Sequence, residues 1–285
     1  MISGTRYRLD QEVNRQLSLS REIAKAQTQL STQKRIQSPS EDPVAAARIS
    51  SIGRSQANEG VWKSNLNLAV ALADRADTAL KAAGTAYDRV TELMTQGATG
   101  TLSDQDRATI ALELRSIAEE LATLKDSKDA RGNALFMSGY SLRIPVQSGV
   151  QVIAVGTRED VFETVDTAGG AKDLAAIVAD AAAALELTDP VARKAAVGAS
   201  VDEVAAGVKH VATQRGEQGA LANRVDQLLE RHADTDLQLK EERSGLEDTD
   251  IQAVIARLSS QQLSLQAAQA VFARVNESTL FDILR

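Results

Sequence analysis

Apolar residues recur along this chain at alternating steps of three and four over long stretches, a pattern that predicts helices rather than strands. The clearest stretch holds Leu66, Ala69, Ala73, Ala76, Leu80, Ala83, Tyr87, Val90 and Met94, with Asp74, Arg75, Lys81 and Arg89 off the seam. Small residues at so many of these positions let helices approach closely, as in a bundle or coiled coil. The pattern stops at Gly97-Ala98-Thr99-Gly100 and resumes after Ser103, where Ile110, Leu114, Ile117, Leu121 and Leu124 line one face. Ser103 is the expected N-cap, and Asp104 and Asp106 suit the positive end of that helix. The two helices read as an αα-hairpin with a short connection.

At the N-terminal end the stripe is thinner, while the last third returns to clean heptads. From about Ser3 to Thr32, Leu9, Val13, Leu17, Ile23, Ala26 and Leu30 are interrupted by several glutamines. A helix with so little to bury is marginal in water and calls for a partner helix. In the last third Leu221, Val225, Leu228, His232, Thr235, Leu239 and Leu246 share a face. After Asp248-Thr249-Asp250, with Asp248 or Thr249 as the expected cap, a stripe runs through Ile251, Leu258, Leu265 and Phe272, accompanied by Val254, Ala268 and Val275. Between Thr32 and the next helix stand Pro39 and Pro43. Each holds its preceding residue extended, so Pro43 is the expected first helical position and Asp42 its cap.

The middle differs. Leu135-Phe136-Met137, Val146, Val150–Val155 and Val161–Val165 are short β-type runs punctuated by glycines, and predict a hairpin region over about 134–168. Alanine-rich helices are expected at about 171–187 and 190–213, parted at Asp189-Pro190. The expected fold is therefore mainly α: a long helical coiled-coil or bundle rod formed by N- and C-terminal segments, with a small middle insertion of β and α character. The divisions are an assembly segment 1–40, a rod half 41–133, an exposed middle 134–213, the other rod half 214–250, and an assembly helix 251–285.

Composition narrows the function. The 285 residues are 43% hydrophobic and 25% charged, enough for a core, while aromatics make up only 3%. The net charge of −7 argues against nucleic acid as a partner, because phosphate binding needs a basic face. No apolar run is long enough for a membrane span, and no secretory signal peptide is expected at the start. The absence of cysteine removes disulfides, thiolate zinc sites and thiol catalysis. The two histidines, His210 and His232, lie far apart and outside any metal-ligand spacing. Asp248 and Asp250 lack the regular oxygen spacing of a calcium loop and read as caps. No phosphate loop or nucleophile elbow is present. No enzyme activity, metal or cofactor is expected.

Two terminal segments carry a family likeness. Leu30-Ser31-Thr32-Gln33-Lys34-Arg35-Ile36-Gln37-Ser38-Pro39-Ser40-Glu41-Asp42-Pro43 resembles the N-terminal signature of the bacterial flagellin superfamily. Leu246-Glu247-Asp248-Thr249-Asp250, Gln261-Gln262, Leu265–Ala268 and the Leu280–Leu284 tail resemble its last turn and helix. The flanking prolines, with Gly132–Tyr140, are most similar to the hook-associated branch found at hook–filament junctions. Gln33 stands where the family usually has glycine, and Glu41 replaces the first of two aspartates. The resemblance implies a structural subunit exported unfolded through the flagellar type III apparatus to the extracellular flagellum. It implies self-association, contacts with hook-side and filament-side proteins, and an export chaperone. It further implies that Leu9, Val13, Leu17, Ile23 and Leu30 pair with Leu258, Leu265, Phe272, Val275 and Leu284 in a coiled coil, while Arg35, Glu41, Asp42 and Pro43 shape a contact-forming bend. The alternatives are a filament flagellin, a surface protein whose middle binds a polysaccharide or receptor, and a cytosolic coiled-coil adaptor. Tyr140 and Phe162 are the few rings read as available there for stacking on a sugar, which makes such a site weak.

Overall fold

The computed structural model describes the backbone of residues 2–99 and 102–283, with side chains throughout except at 2–6, 8–9 and 275–283. Six α-helices carry most of the chain: α1 (Ile2–Thr32), α2 (Pro43–Gly97), α3 (Asp104–Lys125), α4 (Leu174–Leu185), α5 (Pro190–Glu247) and α6 (Ile251–Ile283). Between α3 and α4 lie two antiparallel hairpins, β1 (Arg143–Gln147) with β2 (Val150–Ile153), and β3 (Val165–Thr167) with β4 (Gly170–Lys172). The architecture is the mainly helical one that the periodicity predicts. Contacts divide the chain into a terminal unit, 1–57 with 235–285, and a central unit, 58–234.

The central unit holds the large core. Every member of the Leu66–Met94 seam is buried, together with Ile110, Leu114, Ile117 and Leu121 of α3. Ser103 caps α3 in a full capping box, its hydroxyl accepting from the Asp106 N–H at 3.1 Å while the Asp106 carboxylate accepts from the Ser103 N–H. Tyr87 shows how tightly α2 meets α5. Its hydroxyl donates to the Leu174 carbonyl at 2.7 Å, and its ring lies where a Cβ on Gly207 would come within 2.2 Å. Burial, with the Asp173 charge nearby, pushes the Tyr87 phenol far above its ordinary range. Only glycine permits that approach.

Three expectations need correction here. The helix expected to end near 213 continues unbroken to Glu247 as part of α5: the buried positions Val204, Val211, Gln218 and Val225 keep a seven-residue step through Gly216 and Gly219. The Val161–Val165 run is not one strand: Glu159–Glu163 form a π-helical turn and only Val165 begins β3. Val161 and Phe162 are both buried, which adjacent strand residues facing opposite sides cannot achieve against one core. The carbonyl of Val161 meets His210 Nε2 at 3.1 Å, and Phe162 packs edge-on against Phe136 at 5.0 Å. Leu135–Met137 likewise form no strand; Leu135 N–H donates to the Ser127 carbonyl in an irregular turn. The β1–β2 hairpin is held by Asn65, which donates to the Pro145 carbonyl at 2.7 Å, and by Gln218, which donates to the Ala154 carbonyl at 2.8 Å.

In the terminal unit α1 and α6 run antiparallel side by side. Residues 33–35 join residues 247–249 at one end, and Gln261 donates to Glu22 at 2.6 Å farther along. The first stretches of α2 and the last of α5 complete this unit, with Ile52 as its most buried aliphatic residue.

Candidate assembly site: the terminal helix pair and its bend

The positions that α1 turns toward α6 are spaced as a heptad: Glu12, Gln16, Leu19, Ile23 and Ala26 are less exposed than their neighbours, and Leu30 is half-buried beside the buried Gln29. On α6 the same spacing selects Val254, Leu258, Gln261, Leu265, Ala268 and Phe272. Ala26 and Val254 are buried; most others are half-buried. Of the residues expected to pair, Ile23, Leu30, Leu258, Leu265 and Phe272 lie on this seam. Val13 and Leu17 do not, being 41% and 48% exposed on another face of α1. Six residues separate Leu17 from Ile23, and six helical steps leave the two side chains roughly 120° apart. The apolar set read from the sequence thus merges two faces. Leu284 lies outside the described residues, as do the side chains of Leu9 and Val275.

The bend begins where α1 ends. Gln33 takes φ of 57°, the left-handed region that glycine enters most easily. From there the chain pairs with the end of α5. Arg35 N–H donates to the Glu247 carbonyl at 2.7 Å, and Thr249 N–H donates to the Gln33 carbonyl at 3.0 Å. The Arg35 guanidinium donates through Nε and Nη2 to the Leu246 carbonyl, at 3.3 and 3.0 Å, and lies 3.8 Å from the Asp42 carboxylate. A cation there satisfies a terminal helix carbonyl and meets the negative end of α5. Gln29, nearly buried, donates from its amide to the Arg35 carbonyl at 2.8 Å.

Charges converge on the same place. Glu247 pairs with Lys34 and with Arg243 at 2.7 Å, and these two cations hold its carboxyl below the ordinary range, Arg243 contributing most. Glu41 accepts from Gln37 N–H at 3.0 Å and pairs with Lys25 at 3.0 Å; the backbone N–H first, then the ammonium, lowers its pKa as well. Arg48 grips Glu242 through two nitrogens and depresses that carboxyl in turn. Asp42 caps α2 as expected: its carboxylate accepts from Ala45 N–H at 3.0 Å and its carbonyl from Ala46 N–H at 2.9 Å, with Pro43 first in the helix. The cap of α6 differs from expectation. Asp250, not Asp248 or Thr249, accepts from Ala253 N–H at 3.1 Å, while the Asp248 carboxylate takes the Ser244 hydroxyl and the Asp248 backbone lies antiparallel to that of Lys34.

Arg35, Glu41, Asp42 and Pro43 are therefore gathered in one bend. Lys34, Arg243, Glu247, Arg48, Glu242 and Gln29 belong to it too, and the sequence reading missed them. Lys34 with Glu247 and Arg48 with Glu242 pair across nearly two hundred or more residues, Arg243 reaches Glu247 within one helical turn, and the only signal of Gln29 was a glutamine near the end of a stripe. Among the described residues no cluster of histidine and acidic side chains could hold a metal ion. What the arrangement offers is a fixed turn that aims two long helices.

The model of the bacterial flagellin N-terminal helical region matches residues 11–140, and that of the C-terminal helical region matches residues 201–284. The chain is 27% identical to flagellar hook-associated protein 3 of Salmonella typhimurium, over all of both chains. It is 26% identical to flagellar hook-associated protein 3 of Escherichia coli, over 90% of each. In fold it is similar to the crystal structure of the flagellar junction protein FlgL from Legionella pneumophila. That likeness has a TM-score of 0.57 at 13% identity and spans 70% of this chain and 100% of the other. With both terminal helical regions matched in order across most of its length, this chain belongs to the bacterial flagellin family.

Proposed function

We propose that this chain is the structural subunit of the hook–filament junction, carried through the flagellar type III apparatus and polymerising outside the cell through its terminal helices. The observation that carries this reading is the end-to-end match with hook-associated protein 3, joined to a terminal pair that buries only one stripe of each helix. Val13 and Leu17 on α1, with Ile255, Leu263 and Val271 on α6, stay exposed within the chain. Aliphatic faces repeated along two helices favour further helices as neighbours. The segments 1–40 and 251–285 act as assembly segments, 41–133 and 214–250 form the rod, and 134–213 is the outward middle. Copies of the chain and the hook-side and filament-side proteins are its partners, with an export chaperone before assembly. The role is mechanical, with no catalytic step and no cofactor.

No helix among the described residues is long and apolar enough to cross a membrane. A filament flagellin is the second reading, because the helical regions serve both branches. A polysaccharide-binding role for the middle finds no support beyond the exposed ring of Tyr140, since Phe162 is buried in the core. Deletion of the gene, scored for filaments attached to hooks, tests the proposal. Hooks without filaments, with free flagellin in the medium, are expected. Filaments still attached to hooks would overturn it, and loss of the filament's bulk protein itself would favour the second reading.

A further inference from the structure

The central unit contains a cavity of about 340 Å³ between α2, the turn that follows α3, and the β1–β2 hairpin. Its floor is apolar, formed by Leu68 and Leu72 of α2 with Leu135, Met137 and Ile144, and it holds no aromatic ring. Arg131 and Arg143 line it from exposed positions. The turn is fixed from within. The Asp129 carboxylate accepts from the N–H groups of Arg131 and Asn133, at 2.8 and 2.9 Å, and from the Asn133 side-chain amide at 3.2 Å. Asp129 is the one acid of the lining and is engaged inside its own loop, so neither guanidinium is in an ion pair among the described residues. Cavities of about 150 Å³ hold a benzene ring, so a leucine side chain fits here.

A side chain of that kind projects elsewhere on the same unit. Leu112 is the one large apolar residue of α3 turned to solvent, 67% exposed, while Ile110, Leu114, Ile117 and Leu121 are buried. Glu119 stands two turns farther along the same face with Glu120 beside it, both exposed and in no ion pair among the described residues. We propose that Leu112 of one copy of this chain enters the cavity of a second copy, setting Glu119 and Glu120 against Arg131 and Arg143. Charge complementarity selects a second copy as the occupant. A chain of net charge −7 presents a cationic cavity at one place and an acid-flanked leucine at another. Arginine suits such a rim because its fork meets a carboxylate through two N–H groups. No chain can fill its own cavity: the Arg89–Glu113 ion pair, 2.7 Å, sets Leu112 level with Arg89 of α2, about 25–30 Å from Leu68 and Leu72. Neighbouring copies are displaced by that distance along α2. Since projection and cavity are separate, each copy offers them to two different neighbours, and the contact propagates instead of closing on a pair. It involves no residue of the terminal helices. It rests on the assembly reading for where the copies meet, and its test is arranged to separate the two.

The chain has no cysteine, so an engineered pair is unambiguous. Ala108, one turn from Leu112, and Ala130, beside Arg131, are exposed and about 25 Å apart along α3. Flagella from cells making only the full-length Ala108→Cys/Ala130→Cys variant are treated with a bis-maleimide of shorter reach than that. A ladder of dimers, trimers and higher species is expected, and neither single-cysteine variant should give one. Arg131→Glu/Arg143→Glu in the same background should reduce the ladder about tenfold, and adding Glu119→Arg/Glu120→Arg should restore it. All four side chains are exposed, so circular dichroism of each monomer should match the parent. A missing ladder, or one indifferent to the charge reversal, overturns the contact. If the chain is absent from flagella, the proposed function fails. The same reaction on the purified chain in concentrated solution then decides the contact, by the presence of the ladder and its response to the reversal.

Discussion

The central unit and the terminal unit both use helices with heptad spacing, yet one closes on itself and the other does not. In the central unit the α2 seam is alanine, leucine, valine, one tyrosine and one methionine, all buried, and α3, α4, α5 and two hairpins surround it. In the terminal unit a two-helix seam contains glutamines and a glutamate, and most of its aliphatic members are half-buried. Two helices can cover only one stripe of each other, whereas a bundle covers most faces of its middle helix. Periodicity therefore marks where a helix forms. The number of layers around it decides whether the helix is stable before assembly.

The contrast is broken most directly by placing the same charge in both seams. Leu80→Asp puts a carboxylate among buried apolar side chains, where desolvation without a partner costs several kcal/mol. Global unfolding at ordinary temperature is the expected result, read by circular dichroism. Leu265→Asp in the half-buried seam should leave the main melting transition in place while abolishing assembly. Equal loss of melting temperature in both variants would mean that the terminal pair is part of the same cooperative core.

A finer probe is Gly207→Ala. A single methyl would meet the Tyr87 ring at 2.2 Å, and such overpacking costs about 1–3 kcal/mol. The melting temperature should fall by several degrees, with no change in exchange at α1 and α6.

At the bend, Gln33→Gly should act in the opposite direction. Relief of the left-handed conformation at Gln33 is worth about 1 kcal/mol. Amides from Arg35 to Asp42 should exchange more slowly in this variant, and the central melting curve should not move. Faster exchange there would show that glycine's added freedom in the unfolded chain outweighs the strain.

Acid offers the gentlest separation. Glu247, Glu41 and Glu242 all titrate below their ordinary value of 4.5 because cations and backbone N–H groups favour the charged form. Their contribution is fully present above pH 4.5 and is lost as pH falls through their lowered values. Proteolysis at the bend by an acid-active protease should therefore begin below that pH while the central unit stays folded. Lys34→Gln should shift the onset of cleavage upward, since Glu247 would then lose one of its two cations.

Much of this molecule was legible before its structure. The Leu66–Met94 and Ile110–Leu121 stripes, the caps at Asp42 and Ser103, and the breaks at Pro39, Gly97 and Asp189 are local features. A short window shows them because helix formation depends on neighbours three and four residues away. The hairpin β1–β2 was visible for the same reason. The π-helical turn at Glu159–Glu163 was not: valine and phenylalanine in succession suit a strand, and only the surrounding core required both to face inward.

The sequence alone determined that the chain is mainly helical, where α2 and α3 start, and that its ends carry the flagellin pattern; it began a helix at about 171, where β4 stands and α4 starts only at Leu174. It could not say which face of α1 meets α6, because Val13 and Leu17 are as apolar as Ile23 and Leu30 and only the partner helix selects between the two stripes. Nor could it join Lys34 to Glu247, Arg35 to Leu246 or Arg48 to Glu242, since pairs so distant along the chain leave no mark in local periodicity. Those contacts, and with them the direction of the bend, were decided only when α1, α2, α5 and α6 came together.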